Sequence, residues 1–336
     1  MITHYVGIDI SYKTATVAWQ ESSATKPRIL DIPQTPVGYQ HLIAHLQAVS
    51  PPEQIHVVME ATSTYWMELA YALVEAQFVV SVVNPIQPKY FAKMRGHRAK
   101  TDALDAVMLM EFVQVCQPAV WTPPPVICET LRQHLTYRDQ LIAMQTQVRN
   151  QLHAFKRNPQ AHPALLQRMN QRLQSLSAEI QQLKADIHAL LVSDHAWAQA
   201  GDYLMSIPGI STISAAWLLV ATHCFARCDT PQQAASFAGL APHAKDSGDY
   251  QGHRFVGGIG HLHLRNVLYM ASAPASRFNP ILKPYYDKLV ARGKPKKVAR
   301  CAVARKLIHM AWACVTKQRF FDPDFAQHAQ VPCACS

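Results

Sequence analysis

Charge is scarce in this chain, and negative charge is scarcest. Of 336 residues only 16% are charged, against roughly 25% in ordinary soluble domains, and 22 Asp and Glu face 32 Lys and Arg. The surplus of +10, before 17 His are counted, favours a polyanionic partner, and an apolar content of 49% excludes wholesale disorder. No apolar run approaches the roughly 20 residues of a bilayer-crossing helix. The longest, around Ile213 to Ala221, gives way to His and Cys, so no membrane partner is expected. The opening MITHYVGIDI lacks the pattern of a secretory signal and reads directly as a strand, which implies a cytoplasmic or nucleoid location. Eight Cys are too few and too irregular for a disulfide framework. Cys224 and Cys228 beside His223, and Cys333 with Cys335, lack the paired spacing of a zinc site and read as buried or incidental thiols. No long-period repeat is present.

What is present divides into three stretches. Three runs rich in β-branched residues, Tyr5–Ile10, Ala15–Gln20 and Arg28–Ile32, read as a meander. A helix over Val37–Val49, a strand at Ile55–Met59, a helix over Tyr65–Ala76 and a strand at Phe78–Val83 follow. A basic connector with Lys93, Arg95, His97, Arg98 and Lys100 then leads into a helix over Asp102–Val115, completing an α/β layer domain over 1–125. The proline run ending at Pro125 marks its boundary. Over 126–198 apolar residues recur at helical spacing, with Leu166, Met169, Leu173, Leu176, Ile180, Leu183, Ile187 and Leu190 in a near-heptad step broken at Asn158–Pro163. That predicts a helical hairpin or coiled coil, either packed on its own protein or pairing two protomers. A mainly α unit fills 199–336 and ends in a weakly ordered CACS tail.

The few acids occupy unusual positions. Asp9 interrupts the apolar strand VGIDIS, and Glu60 ends the run HVVME, where a carboxylate needs compensation for lost hydration. Asp102 and Asp105 in KTDALDA share one face of a helix at its first turn. Each has a plainer reading, helix capping for Glu60, and capping or dipole compensation for Asp102 and Asp105. Together they could supply the oxygen ligands that hard divalent cations need for a phosphodiester displacement. The βββαβαβα order is that of the ribonuclease H fold, whose first and fourth strands carry acids.

In the last stretch Ile207-Pro208-Gly209-Ile210 joins two apolar helical segments, like a helix-hairpin-helix element whose backbone N–H groups approach a phosphate; a plain helix connection is the alternative. Ser247, in Asp246-Ser247-Gly248, reads on its own as a turn serine. Gly257, Gly258 and Gly260 could let the backbone approach phosphate. Arg265, and the run Arg292, Lys294, Lys296, Lys297, Arg300, Arg305 and Lys306, read as a phosphate-binding face, or as a solvated basic helix.

YVGIDIS, VVMEATSTYW, VSVVNP, KTDALDA, SIPGI, FAGLAPHAKDSG and LRNVLYM, in that order, resemble the DEDD transposases of insertion-sequence family one-ten, the prokaryotic group that includes Piv-type DNA invertases. The resemblance covers nearly the whole chain. It implies a RuvC-like domain, a coiled-coil segment that builds a homodimer or tetramer, and a C-terminal transposase domain. It also implies that Asp9, Glu60, Asp102 and Asp105 bind magnesium, with manganese as a substitute, and that Ser247 is the nucleophile. The implied partners are double-stranded DNA at element ends and target, and a structured noncoding guide RNA. The chain departs from the family where Phe255 to Gly260 stands in place of a basic stretch. Rival readings are a RuvC-like structure-selective nuclease using water, a Piv-type site-specific invertase, an actin-like sugar kinase or ATPase, for which later Gly-rich adenosine loops are lacking, and a nonenzymatic nucleic-acid scaffold.

Overall fold

The computed structural model describes residues 2–20, 26–96, 101–226, 228–241, 246–247, 250–251 and 260–324. His97, Arg98, Lys100, Gly257, Gly258, Cys333 and Cys335 lie outside them. The chain divides into two compact units, Met1–Pro123 and Pro124–Ser336. The first is a mixed α/β domain and the second is mainly α.

Unit 1 contains β1 (His4–Ile10), β2 (Thr14–Trp19), β3 (Arg28–Pro33), α1 (Pro36–Gln47), β4 (Ile55–Glu60), α2 (Met67–Glu75), β5 (Val79–Val83), α3 (Ile86–Met94) and α4 (Asp102–Cys116). The strands form one sheet in the order β3-β2-β1-β4-β5. The β1–β2 and β2–β3 pairs are antiparallel, as short turns require, and the β1–β4 and β4–β5 pairs are parallel, their crossovers carrying α1 and α2. Alternation along the strands divides two cores. Val6, Ile8, Val57 and Met59 pack with Leu42, Leu69 and Leu73 of α1 and α2, while Val58 and Val83 pack with Phe91, Leu109 and Phe112 of α3 and α4.

The basic connector expected after Asn84 is in part the helix α3. Pro88 falls in its first turn, where a missing N–H costs nothing, and Phe91 is buried edge-on against Phe112 at 5.5 Å.

The contact of α4 with the sheet depends on one glycine. A Cβ on Gly7 would lie 2.1 Å from the Ala106 carbonyl oxygen and 2.3 Å from the Met110 amide nitrogen, so the helix backbone rests on the strand itself. Gly7→Ala is therefore expected to destabilise the protein by about 3 kcal/mol, the upper part of the overpacking range, and to lower the melting midpoint by roughly 10 °C. An unchanged melting curve would show that α4 can lift off without loss.

Behind α4 the chain is tied to the sheet by a buried polar group. His56 Nε2 lies 2.8 Å from Ser81 Oγ, whose hydroxyl reaches the Pro118 and Ala119 carbonyls at 3.1 and 2.9 Å, and Trp121 donates its N–H to the Val80 carbonyl. Burial lowers the His56 pKa from its ordinary 6.5. The unfolded chain thus binds a proton that the fold refuses, and stability falls as pH drops below about 6.5 until the lowered native value is reached. His56→Gln is expected to make unfolding free energy less steep between pH 7.5 and 5.5, by up to one proton; an unaltered slope would refute the assignment.

Unit 2 opens with α5 (Val126–Phe155) and α6 (Pro163–Ser193), followed by α7 (His195–Met205), α8 (Thr212–Thr222), α9 (Pro231–Phe237), β6 (Asp246–Ser247), β7 (Tyr250–Gln251), α10 (Leu262–Phe278), α11 (Leu282–Ala291) and α12 (Lys296–Thr316). The helices α5 and α6 form an antiparallel hairpin, pinned by Tyr137 to Glu179 and Gln145 to Ser177 and filled by Leu141, Leu176, Ile180 and Leu183. At the hairpin's base Leu131, Leu135, Ile187 and Leu191 enter the same core as α7, α8, α10 and α12. Among the described residues no helix is long and apolar enough to cross a membrane.

Candidate active site

Asp9 and Glu60 reach one place because β1 and β4 run parallel. Ile8 is level with Met59, so one residue further Asp9 stands beside Glu60 at the carboxyl ends of neighbouring strands. Both alternate out of the core that holds Ile8 and Met59, and so face α4. That helix runs antiparallel to β1. Its Ala106–Met110 segment covers Gly7, while Tyr5, nearer the strand's start, packs into the cluster holding the later residues Phe112 and Val113. The first turn of α4, with Asp102 and Asp105, therefore lies toward the strand ends that carry Asp9 and Glu60. Asp9, Glu60 and Asp105 are half-buried and Asp102 is exposed.

The plainer reading of these acids as caps loses ground here. Thr101 is the N-cap of α4, its Oγ1 accepting the Leu104 N–H at 3.3 Å, so neither Asp102 nor Asp105 is needed for that role. Glu60 lies well ahead of α2, whose N-cap is Trp66. Dipole compensation by the two aspartates remains compatible with their place in the first turn.

The register also brings in residues that the sequence did not single out. Asp9 is level with Thr16, and Thr16 with Asp31, whose Oδ1 accepts the Thr16 hydroxyl at 2.6 Å. Glu60, Asp9, Thr16 and Asp31 thus make one polar row across four strands. The signal available was that Asp31 interrupts ILDIP as Asp9 interrupts GIDI. Beyond the row, Tyr12 and Tyr65, from the turns after β1 and β4, meet with ring centroids 5.5 Å apart while 70% and 40% exposed. Exposed rings of this kind suit stacking of nucleic-acid bases. Ser63, in the loop between Glu60 and Tyr65, holds a left-handed φ of 53°. Among the described residues, no three His, Cys, Asp or Glu side chains gather closely enough to form a metal site.

Unit 2 carries the remaining predicted residues. Ser247 ends the two-residue strand β6 and pairs with Tyr250, so it stands where the strand meets the turn. The segment bearing it leaves and returns at one point. Gly260, at φ 104°, would place a Cβ 2.5 Å from the Gly239 amide nitrogen, and the His261 N–H donates to the Phe237 carbonyl at 2.7 Å. The need for glycine at 260 is thus chain closure. Arg265 Nη1 reaches the Gly239 carbonyl at 3.5 Å, adding to the same clasp.

Pro208 and Gly209 lie half-buried beneath α10. Gly209 has φ 112° and would bring a Cβ within 2.6 Å of Ala275 Cβ, and the Pro208 carbonyl accepts from Asn279 Nδ2 at 3.3 Å. The basic run is not one stripe. Arg292, Lys294, Lys296 and Lys297 are exposed around the start of α12 and Arg300 is half-buried, whereas Lys306, further along, sits over the Tyr285 ring at 5.2 Å. One face of α12 is core, with Ala299, Val303, Leu307, Ile308 and Ala311 buried. Of the cysteine cluster, Cys228 is buried and Cys224 half-buried, its thiol pushed up to about 11 chiefly by burial.

Comparison with known proteins covers both units. A family model described as a transposase matches residues 6–156, and one described as the transposase IS116/IS110/IS902 family matches residues 201–287. The pilin gene-inverting proteins of Moraxella bovis and Moraxella lacunata are 28% and 27% identical over 332 residues, spanning 95% of this chain and 97% of each relative. An insertion element IS110 protein of Streptomyces coelicolor is 30% identical over 119 residues, 35% of this chain and 29% of the relative.

Proposed function

The chain belongs to the IS116/IS110/IS902 transposase family and is related to the pilin gene-inverting proteins, and on that premise we propose that it recombines DNA through a covalent serine link. The observation that carries the proposal is Asp9 beside Glu60 at neighbouring parallel strand ends, on the face covered by the helix with Asp102 and Asp105. The sheet order and the acids on its first and fourth strands support a ribonuclease H or RuvC type of layer.

Four carboxylates are the hard oxygen donors that magnesium takes, and manganese can replace it, so Asp9, Glu60, Asp102 and Asp105 fit such a site by donor chemistry. When bound, magnesium supplies neutralisation of the charge that develops on a scissile phosphate. The sheet fixes the two strand acids, and α4 sets the reach of the two helix acids. Ser247 Oγ bonds to phosphorus as the bond from phosphorus to the departing deoxyribose oxygen breaks; the proton that the serine hydroxyl gives up to water is balanced by the one that the departing oxygen takes up to become a free hydroxyl. The phosphoserine keeps the energy of the phosphodiester, so an incoming strand hydroxyl can displace the serine without ATP. The Tyr12–Tyr65 rim would stack bases next to the acids. Arg265, Arg292, Lys294, Lys296, Lys297 and Arg300 would meet nucleic-acid phosphates, and the Pro208–Gly209 turn would offer the Gly209 amide to one. The α5–α6 hairpin would join protomers, and a noncoding guide RNA would pair with element and target DNA.

The test is to purify the protein from its native locus, sequence any bound RNA, and incubate the complex with double-stranded DNA of the element ends in magnesium. A protein–DNA adduct that survives denaturation, and an RNA complementary to both DNAs, are expected. Magnesium-dependent cuts with no adduct would assign a water-using nuclease instead.

A further inference from the structure

A second polar site lies within unit 2, between the base of the α5–α6 hairpin and helices α8 and α10. A cavity of about 640 Å³ is lined there by Arg138, Lys184, His188, the Ser211–Ser214 turn, Trp217 and Asn266, among others. A neighbouring cavity of about 630 Å³ shares Asp139 and Trp217 with it and continues past Arg132 and His223 to His261.

The polar groups of this trough do not balance. Its carboxylate, Asp139, has a neighbour on each oxygen: Oδ1 accepts from Arg138 Nη1 at 2.9 Å, and Oδ2 lies 3.0 Å from His263 Nε2 in a contact without hydrogen-bond geometry. What is left over is donors. Trp217 is only 6% exposed and its Nε1 is buried without an acceptor among the described residues; the same holds for Arg138 Nε. Indole and guanidinium nitrogens donate and never accept, so neither can satisfy the other. The first turn of α8 adds the amides of Thr212 and Ile213, because the Ser211 cap takes only the Ser214 N–H. Lys184 and His188, one turn apart on α6, face the same space. A buried donor without a partner is destabilising, and a ligand with several acceptor oxygens would relieve several such donors together.

We infer that this trough holds a backbone phosphodiester of a bound nucleic-acid strand. A tetrahedral anion at the α8 N-terminus would accept from the Thr212 and Ile213 amides and Lys184 Nζ, and from Trp217 Nε1 and Arg138 Nε once those side chains turn out of the wall toward it, and the adjoining cavity gives the strand room to continue. The choice of a nucleic-acid strand rests on the proposed recombinase function; the donor imbalance does not.

The trough is tested without cleavage, in metal-free buffer, by following the indole N–H signals of the full-length protein's six tryptophans, with Trp217→Phe assigning the relevant one. Titrants are a 12-nucleotide DNA, a 12-nucleotide RNA and inorganic phosphate. The Trp217 signal is expected to move with DNA, RNA or both, and the responding strand identifies the source of the phosphate. Lys184→Gln should weaken that binding several-fold and reduce the salt slope of log K by about 0.7, one contact on a single strand. Oligonucleotide binding that leaves the Trp217 signal still would overturn the inference, as would a response to inorganic phosphate alone. Retention of a Trp217 response in a protein that forms no serine adduct would sink the mechanism and leave this site standing.

Discussion

Ser247→Ala is expected to abolish the covalent protein–DNA adduct and to lower strand rejoining by at least about 10³-fold, roughly 4 kcal/mol of activation free energy. The size of the loss follows from what the hydroxyl does. A phosphodiester cut by water loses its bond energy, and its ends cannot be resealed without another source, whereas a serine ester carries the bond across the exchange. The substitution removes one oxygen from the end of β6 and changes no proline or glycine, so folding should survive, which a melting curve checks. Gel analysis after denaturation reads the adduct, and joined product reads the exchange. Wild-type levels of joined product from the alanine protein would eliminate Ser247 as nucleophile. Persistent hydrolytic cutting without joining would point to the nuclease reading.

The core strands were legible because their apolar runs are short and bounded by turn residues, and the strong helices because their periodicity is clear. Register was not. That Asp31 shares a row with Asp9 follows only from the pairing Asp9 to Thr16 to Asp31, and nothing in RILDIP states which residue lies opposite. Glycine requirements were also out of reach. Gly7, Gly209 and Gly260 are set by the approach of α4, α10 and Gly239, each distant in the chain. The near-heptad step of α6 was visible, while its antiparallel partner α5 is defined by contacts such as Tyr137 with Glu179. The basic run at 292–306 suggested one cationic face. In the structure the burial of Ala299, Val303 and Leu307 gives α12 a core stripe, with Lys296 and Lys297 exposed at its start and Lys306 drawn over Tyr285 further along. Small apolar residues between the cations were the available sign.

Asp9→Asn is expected to reduce magnesium-dependent cleavage by about 10²–10³-fold, with the melting curve little changed. The amide is nearly the shape of the carboxylate, so the β1 edge should survive, but it removes one negative charge from the row beside Glu60. Loss of one preorganised charge-stabilising group at a reacting centre typically costs about that much. A neutral ligand also weakens metal affinity, so part of the loss should return at higher magnesium, and a titration separates that part from the rest. The variant has a second use. Asp9 lies in unit 1 and Ser247 in unit 2, so on the proposed mechanism Asp9→Asn and Ser247→Ala proteins each keep the group that the other lacks. If sites form between protomers, mixing the two inactive proteins should restore activity to roughly a quarter of wild type, the statistical share for a dimer with two independent crossed sites. If sites form within protomers, the mixture should stay inactive. Cleavage by Asp9→Asn alone at the wild-type rate would remove the strand-end acids from the mechanism altogether.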